Sequence, residues 1–236
     1  MMKSNTSKFR HELKYIITKK QKDEIEKHLQ MVMKIDRHAE NGSYMIRSLY
    51  FDDLWESAYR EKAAGTFLRK KYRIRCYNGA DDIIKLECKK KEGQYIHKTA
   101  ASLSKDEFYR IINGDVQEFA TSENRLKQAF YVECKTNQLQ PKVIVDYERE
   151  PYVFPFGDVR ITFDRNVRVA LSDYDIFRKD LPTIEILPDD RLIMEVKYTE
   201  YLPEVIRDLL PKDGTIQTAA SKYVMCLEKQ KEFCRR

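Results

Sequence analysis

The sequence predicts an α+β fold on a mostly antiparallel sheet, and three observations carry that prediction. Residues 68–99, LRKKYRIRCYNGADDIIKLECKKKEGQYIHKT, read as two strands joined at an Asn78-Gly79 turn, with a third strand after Gly93. Segments that alternate charged with apolar residues recur far apart along the chain, the period of strands with one buried face. Between them lie stretches that open on capping boxes and repeat apolar residues at helical spacing. Strands with short reversals, interrupted by helices, make an α+β arrangement.

Taken in order, residues 9–17, FRHELKYII, set Arg10, Glu12 and Lys14 against His11, Leu13 and Tyr15, a strand with one charged face. Thr18 to Gln21 has the T-x-x-Q form of a capping box, and Ile25, Leu29 and Val32 continue a helix to about Met33. Residues 43–52 form the next strand, after which Asp52 or Asp53 caps a short helix through Ala63, ended by Gly65. In the central hairpin Lys71, Arg73 and Arg75 share a face opposite Tyr72, Ile74 and Cys76. The returning strand sets Lys85, Glu87 and Lys89 against Ile84, Leu86 and Cys88, and residues 94–99 bring in Lys98. Ser104 to Glu107 is a second capping box, opening a helix that Gly114 closes, and a longer helix over 123–140 stops at Pro141. Residues 142–149 form a strand with Val143, Val145, Tyr147 and Arg149 on one face, broken by Pro151 and Pro155. Residues 158–164 place Arg160, Thr162 and Asp164 opposite Val159, Ile161 and Phe163, with Arg168 on the next segment. In the strand over 192–198, Glu195 and Lys197 alternate with apolar neighbours. Helices over 203–210 and from about Thr218 to Phe233 close the chain, with Lys222 near the start of the last.

At 236 residues the chain can bury a sizeable core as a single domain over 1–236. Its 44 Lys and Arg against 38 Asp and Glu give +6, too balanced for a plain nucleic-acid coat and compatible with a local basic cavity. No apolar run approaches the roughly 20 residues of a membrane span, and the first residues lack the apolar core of a secretion signal, so the expected location is cytoplasmic. Five scattered cysteines and four His disfavour a disulfide framework or a zinc site, and Cys76 and Cys88 fall on the apolar phase of their strands.

If the charged rows simply face water, nothing more follows from them. Against that, Arg73, Arg75, Arg149, Arg160 and Arg168 repeat rigid guanidinium forks, which match phosphate oxygens two at a time. Curling the sheet into a barrel turns these rows inward and the apolar rows onto helices. Such a lumen is costly without a ligand, and Glu12, Glu87 and Glu195 offset it only partly, so it expects an anion of several charges. Glu195 either holds Mg²⁺ or Mn²⁺ bridging phosphate oxygens, or forms a salt bridge to Lys197 or an Arg.

With those residues assembled, the chain resembles the catalytic domain of the vacuolar transporter chaperone polyphosphate polymerases, a branch of the triphosphate tunnel metalloenzyme (CYTH-like) superfamily. The ordered pieces are Glu12-Leu13-Lys14-Tyr15, Ser48-Leu49-Tyr50-Phe51-Asp52, Arg73-Ile74-Arg75 before Glu87-Cys88-Lys89, Tyr147-Glu148-Arg149, Val159-Arg160-Ile161 with Asp164, Glu195-Val196-Lys197 and Ser221-Lys222-Tyr223. The resemblance implies a closed antiparallel β-tunnel flanked by helices, and transfer of the ATP γ-phosphate onto inorganic polyphosphate. It implies catalytic roles for Lys14, Arg73, Arg75, Lys89 and Lys222. It implies phosphate binding by Lys98, Tyr147, Arg149, Arg160 and Lys197, and a Mn²⁺ or Mg²⁺ ligand in Glu195. The superfamily's E-x-E-x-K pattern stands here as Arg10-x-Glu12-x-Lys14, which removes a possible second metal ligand and leans away from the hydrolase branch. In that family the domain is often joined to a phosphate-sensing domain and membrane segments. Neither is in this sequence, so a separate membrane-protein partner is a possible expectation.

The nearest rival is a hydrolase of tripolyphosphate or nucleoside triphosphate with the same fold. From another class, the rival is a non-catalytic binder of polyphosphate, inositol phosphates or RNA. RNA would call for aromatics on the charged face, whereas Tyr72, Ile74, Leu86 and Ile161 fall on the opposite phase.

Overall fold

The computed structural model describes residues 10–39, 41–93, 95–156, 158–171, 173–211 and 221–235. The strands are β1 (Arg10–Thr18), β2 (Lys34–Ile35), β3 (Tyr44–Asp52), β4 (Leu68–Tyr77), β5 (Ile84–Glu92), β6 (Tyr95–Leu103), β7 (Gln140–Val153), β8 (Arg160–Ala170), β9 (Thr183–Glu185) and β10 (Arg191–Thr199). The helices are α1 (Lys19–Val32), α2 (Ser57–Ala64), α3 (Lys105–Ile112), α4 (Arg125–Thr136), α5 (Glu204–Arg207) and α6 (Lys222–Cys234), with a 3-10 turn over Gln117–Thr121. The strands pair antiparallel in the order β1-β10-β8-β7-β3-β4-β5-β6, with β2 added to β7 and β9 to β8. The sheet curls into a tunnel-like wall. Among the described residues no backbone ladder joins β1 to β6; Lys89 of β5 reaches Glu12 of β1 at 2.8 Å instead.

Alternation along each strand decides what is covered. The outer rows of β3, β4 and β5, with Leu49, Phe51, Tyr72, Ile74, Leu86 and Cys88, pack under α3, the 3-10 turn and α4 through Phe108, Phe119 and Phe130. The outer rows of β1, β8 and β10 pack under α1 and α5 through Leu29 and Ile206. On the inner face one part is apolar: Val143, Val145, Val167, Val169 and Ile193 take Tyr223, Cys226 and Leu227 of α6. Burying these rows is the main stabilising term of the fold. It also leaves the opposite rows to face the lumen.

Both capping boxes form. Thr18 Oγ1 accepts from the Gln21 N–H (3.1 Å) and Ser104 Oγ from the Glu107 N–H (3.1 Å), each answered by the glutamine or glutamate side chain. Ser104→Ala should cost about 1 kcal/mol and lower the melting temperature by about 2–4 °C, with phosphate binding unchanged. A larger drop in a thermal melt would show that the cap supports more than α3. Asp52 and Asp53 both serve α2: Asp52 accepts from the Ala58 and Tyr59 N–H groups, Asp53 from those of Trp55 and Ser57.

Four expectations need correction. The helix expected over 123–140 is α4, which ends at Thr136, and β7 already begins at Gln140, because Gln138 takes a left-handed conformation (φ 53°) between them. Pro151 does not break β7. Its carbonyl accepts from Asp36 on the side where β2 offers only two residues, so its missing N–H forfeits no long ladder. Residues 158–170 are not two segments: β8 runs through Ala170 and absorbs a register shift at Asn166 (φ 50°), which moves Val167 and Val169 to the inner face and Arg168 outward. The helix over 203–210 is only the four-residue α5. Phe9, Gln94 and Thr218, named as element ends from sequence, lie outside the described residues.

Candidate functional site

Two charged clusters line the lumen. In the first, Arg149 of β7 grips Asp164 of β8 with two hydrogen bonds of 2.7 Å, and Lys222, at the first turn of α6, reaches Asp164 at 2.5 Å and Glu195 at 3.1 Å. Glu195 of β10 also meets Lys197 at 2.8 Å, Lys14 of β1 at 3.5 Å and Arg149 at 3.6 Å. Lys14 stands 3.5 Å from Glu12, which takes Lys89 at 2.8 Å and lies 3.8 Å from Lys197. The cross-strand register Lys14↔Glu195↔Thr162 fixes this arrangement.

In the second cluster Glu87 of β5 holds Arg73 (2.6 Å) and Lys98, with Arg75 at 4.0 Å. Arg73 also donates to Tyr50 Oη (2.9 Å), and Arg75 to Ser48 Oγ (3.1 Å) and Tyr147 Oη (3.2 Å). Tyr147 links the clusters: the Lys222 ammonium and the Arg149 guanidinium lie over its ring at 4.8 and 5.2 Å.

The electrostatics follow from burial among like charges. Burial opposes ionisation of Glu195, yet Lys197, Lys222, Lys14 and Arg149 outweigh it and hold its carboxyl well below the usual range. Burial likewise opposes Glu87 and Glu12, and their cations win: Arg73, Arg75 and Lys98 bring Glu87 down to about 2, and Lys14 and Lys89 lower Glu12. Lys197 goes the other way, down to about 8, because burial and Arg149 outweigh its carboxylates. Lys71, on the same row of β4, falls to about 7 under burial and the charges of Lys14, Lys62 and Lys89. Its Nζ donates to Ser221 Oγ (3.1 Å) and sits over the Tyr223 ring, and among the described residues no carboxylate pairs with it.

Of the residues singled out from sequence, Lys14, Arg149, Glu195, Lys197 and Lys222 meet in the first cluster, and Arg73, Arg75 and Lys98 in the second, with Tyr147 between. Lys89 stands at the seam. Arg160 lies at the rim, where its Nη2 forms an ion pair with Asp36 (3.0 Å) and donates to Tyr44 Oη (3.1 Å). Arg168 does not turn inward; it pairs with Glu185 on the outer surface, a consequence of the shift at Asn166. Sequence reasoning left out Lys71, although the alternation through Arg75 already placed it on this face, and gave Asp164 no role in holding Arg149 and Lys222.

For a metal, Glu12 and Glu195 are the available pair, each 3.5 Å from Lys14 Nζ. Among the described residues no three His, Cys, Asp or Glu side chains form a ready cage. Glu12 and Glu195 are both already engaged by cations, so an ion such as Mg²⁺ or Mn²⁺ would be held there only in exchange for the Lys14 contact they share.

A search of curated proteins finds no match. Among solved structures, a Hippeastrum protein, HpAC1, described as revealing a dominant triphosphatase activity, superposes with a TM-score of 0.55 at 13% identity, over 93% of this chain and 95% of its own. The PH1819 protein from Pyrococcus horikoshii OT3 aligns with a TM-score of 0.47 at 15% identity, over 94% of this chain and 99% of that one. The first shows that this chain shares the fold of the Hippeastrum protein. The VTC domain profile matches residues 9–230, nearly the whole sequence, and the chain therefore belongs to the VTC domain family.

Proposed function

We propose that the protein is a polyphosphate polymerase-type phosphotransferase that moves the γ-phosphate of ATP onto inorganic polyphosphate inside the lumen. The observation that carries this reading is the saturation of the lumen carboxylates. Glu12, Glu87, Asp164 and Glu195 are each held by at least two cations, and the same face carries Lys71, with which no described carboxylate pairs. The paired cations lower the proton affinity of all four, so among the described residues these carboxylates are poor general bases for water, whereas a terminal phosphate is already ionised at neutral pH and needs none. Arg73, Arg75, Arg149 and Lys222 would hold donor and acceptor phosphates in line and neutralise the charge that spreads over the transferring group. A Mn²⁺ or Mg²⁺ held by Glu12 and Glu195 would supply further neutralisation of the phosphate charge. Tyr147 and Lys197 complete the phosphate cradle, with Lys98, Lys89 and Arg160 nearer its rim.

The second reading is hydrolysis of a triphosphate, favoured by the fold shared with the Hippeastrum protein. Incubation with ATP and Mn²⁺, with products resolved on a gel and free phosphate assayed, separates the two. Long polymer that Arg75→Ala abolishes supports the polymerase; phosphate without polymer supports the hydrolase; neither, with tight polyphosphate binding retained, overturns both.

Lys71 gives a pH-dependent expectation. Held at about 7 in the free protein, it is largely neutral at pH 8.5, and a bound polyanion draws its pKa back up. Binding of tripolyphosphate at pH 8.5 should therefore take up protons, seen by calorimetry in buffers of different ionisation enthalpy. Lys71→Met should remove much of that uptake, Lys197 supplying the rest. The folded pKa lies below the unfolded one, so the lysine costs stability below about pH 10, fully below pH 7. Lys71→Met should thus melt higher than the parent at pH 7, with the gain shrinking as pH rises.

A further inference from the structure

The end of the β4-β5-β6 unit, at the mouth of the lumen, carries exposed apolar side chains that the phosphate chemistry does not use. Phe67 and Leu68 are 65% and 63% exposed and Tyr95 is 45% exposed. They stand together. Gly93 donates its N–H to the Phe67 carbonyl at 2.9 Å, Leu68 faces Glu92 across the ladder, and Glu92 faces Tyr95. At Gly93 (φ 57°) a Cβ would come within 2.6 Å of the Phe67 ring, so the glycine lets this ring sit against the β5-β6 turn. Beyond Tyr95 the strand projects: residues 97–100 of β6 are exposed on both faces.

Behind these apolar tips lies a collar of cations. Arg69 faces Lys91 on the lumen row of the β4-β5 ladder and Lys70, which also meets Glu133, faces Lys90 on the outer row, pairings of like charge that are destabilising in isolation, and Lys62 joins the lumen row from α2. Among the described residues Lys62, Arg69, Lys90 and Lys91 have no ion-pair partner. Burial first, then Arg69 together with Lys14 and Lys89 of the lumen, lower the pKa of both Lys62 and Lys91.

A phosphate chain would answer the cations and leave exposed Phe67, Leu68 and Tyr95 unexplained. A protein partner of ordinary affinity needs about 800 Å² of contact, more than three side chains at projecting strand ends supply. We propose that this end of the sheet docks on an anionic lipid bilayer: Phe67, Leu68 and Tyr95 enter the headgroup–acyl boundary while Lys62, Arg69, Lys90 and Lys91 meet lipid phosphates. Apolar tips backed by lysine and arginine are the arrangement that interfacial binding uses, and neither component alone anchors stably.

The test is sedimentation of the full chain with phosphatidylcholine vesicles, with and without phosphatidylglycerol. The protein should pellet with the anionic vesicles only, and Phe67→Ser/Leu68→Ser should weaken binding about tenfold or more while the melt and tripolyphosphate binding stay unchanged. Absence of pelleting, or equal pelleting of the variant, would overturn the proposal. So would full release of both proteins by soluble tripolyphosphate, which would assign capture to the lumen, or a dimer in vesicle-free solution that the double substitution dissociates.

Discussion

Glu195→Gln is expected to reduce polymer synthesis by about 10²–10³-fold, the loss that follows removal of preorganised charge at a reacting centre. The amide keeps the shape and discards the charge that holds Lys197 at 2.8 Å, Lys222 at 3.1 Å, Lys14 at 3.5 Å and Arg149 at 3.6 Å. Lys197, already at about 8, then loses more of its proton at neutral pH, and the cations on its neighbours spread apart. Two measurements separate the causes. If the carboxylate serves the metal, metal-free tripolyphosphate affinity stays within a few-fold of the parent while turnover with Mn²⁺ collapses, because bound phosphate supplies the missing negative charge. If affinity and turnover fall together, Glu195 only positions the cations. Activity within about twofold of the parent would remove Glu195 from the site altogether.

Asp164→Ala should be the most damaging substitution for stability. Asp164 is fully buried and neutralises both Arg149 and Lys222. Removing one member of such a buried set costs about 3–5 kcal/mol, since two cations remain without their partner, and a chain of this size should lose roughly 6–20 °C in melting temperature. Burial disfavours its charge, but Arg149 and Lys222 outweigh that and hold its pKa below the ordinary value. Its contribution is therefore present above about pH 4 and is lost as pH falls through the lowered value. The variant should show a shallower loss of stability between pH 5 and 2. A melt unchanged at pH 7 would mean that the guanidinium and ammonium find other partners. High tripolyphosphate should restore part of the lost melting temperature, because a bound anion can take the place of the carboxylate.

Much of this was legible in the sequence wherever period-2 alternation ran unbroken. The β4 and β5 rows assigned Arg73, Arg75, Glu87 and Lys89 to one face and Tyr72, Ile74, Leu86 and Cys88 to the core, as observed. Capping boxes located α1 and α3 because two reciprocal hydrogen bonds set their first turns. What alternation could not show was a break in its own phase. Asn166 shifts β8, so Arg168, which a count from Arg160 places with the other cations, ends outside with Glu185. Proline was misleading for a different reason: Pro151 is tolerated wherever no donor is required, and that depends on the length of a neighbouring strand. Partnership is likewise a property of the fold. Lys71 and Lys14 look alike along their strands, yet one sits beside two carboxylates and the other beside Ser221.

The seam between β1 and β6 bears on how a long ligand enters and leaves. A wall closed by a continuous ladder admits a chain only by its end, and a product many units long must then withdraw along its whole length. Here the described wall is bridged at Lys89 and Glu12, an ion pair partly open to water and worth at most about 1 kcal/mol. Parting that contact costs far less than unzipping paired strands. If the lumen holds a polymer as proposed, this seam would offer it a sideways route, and the Lys89–Glu12 contact should weaken as salt rises.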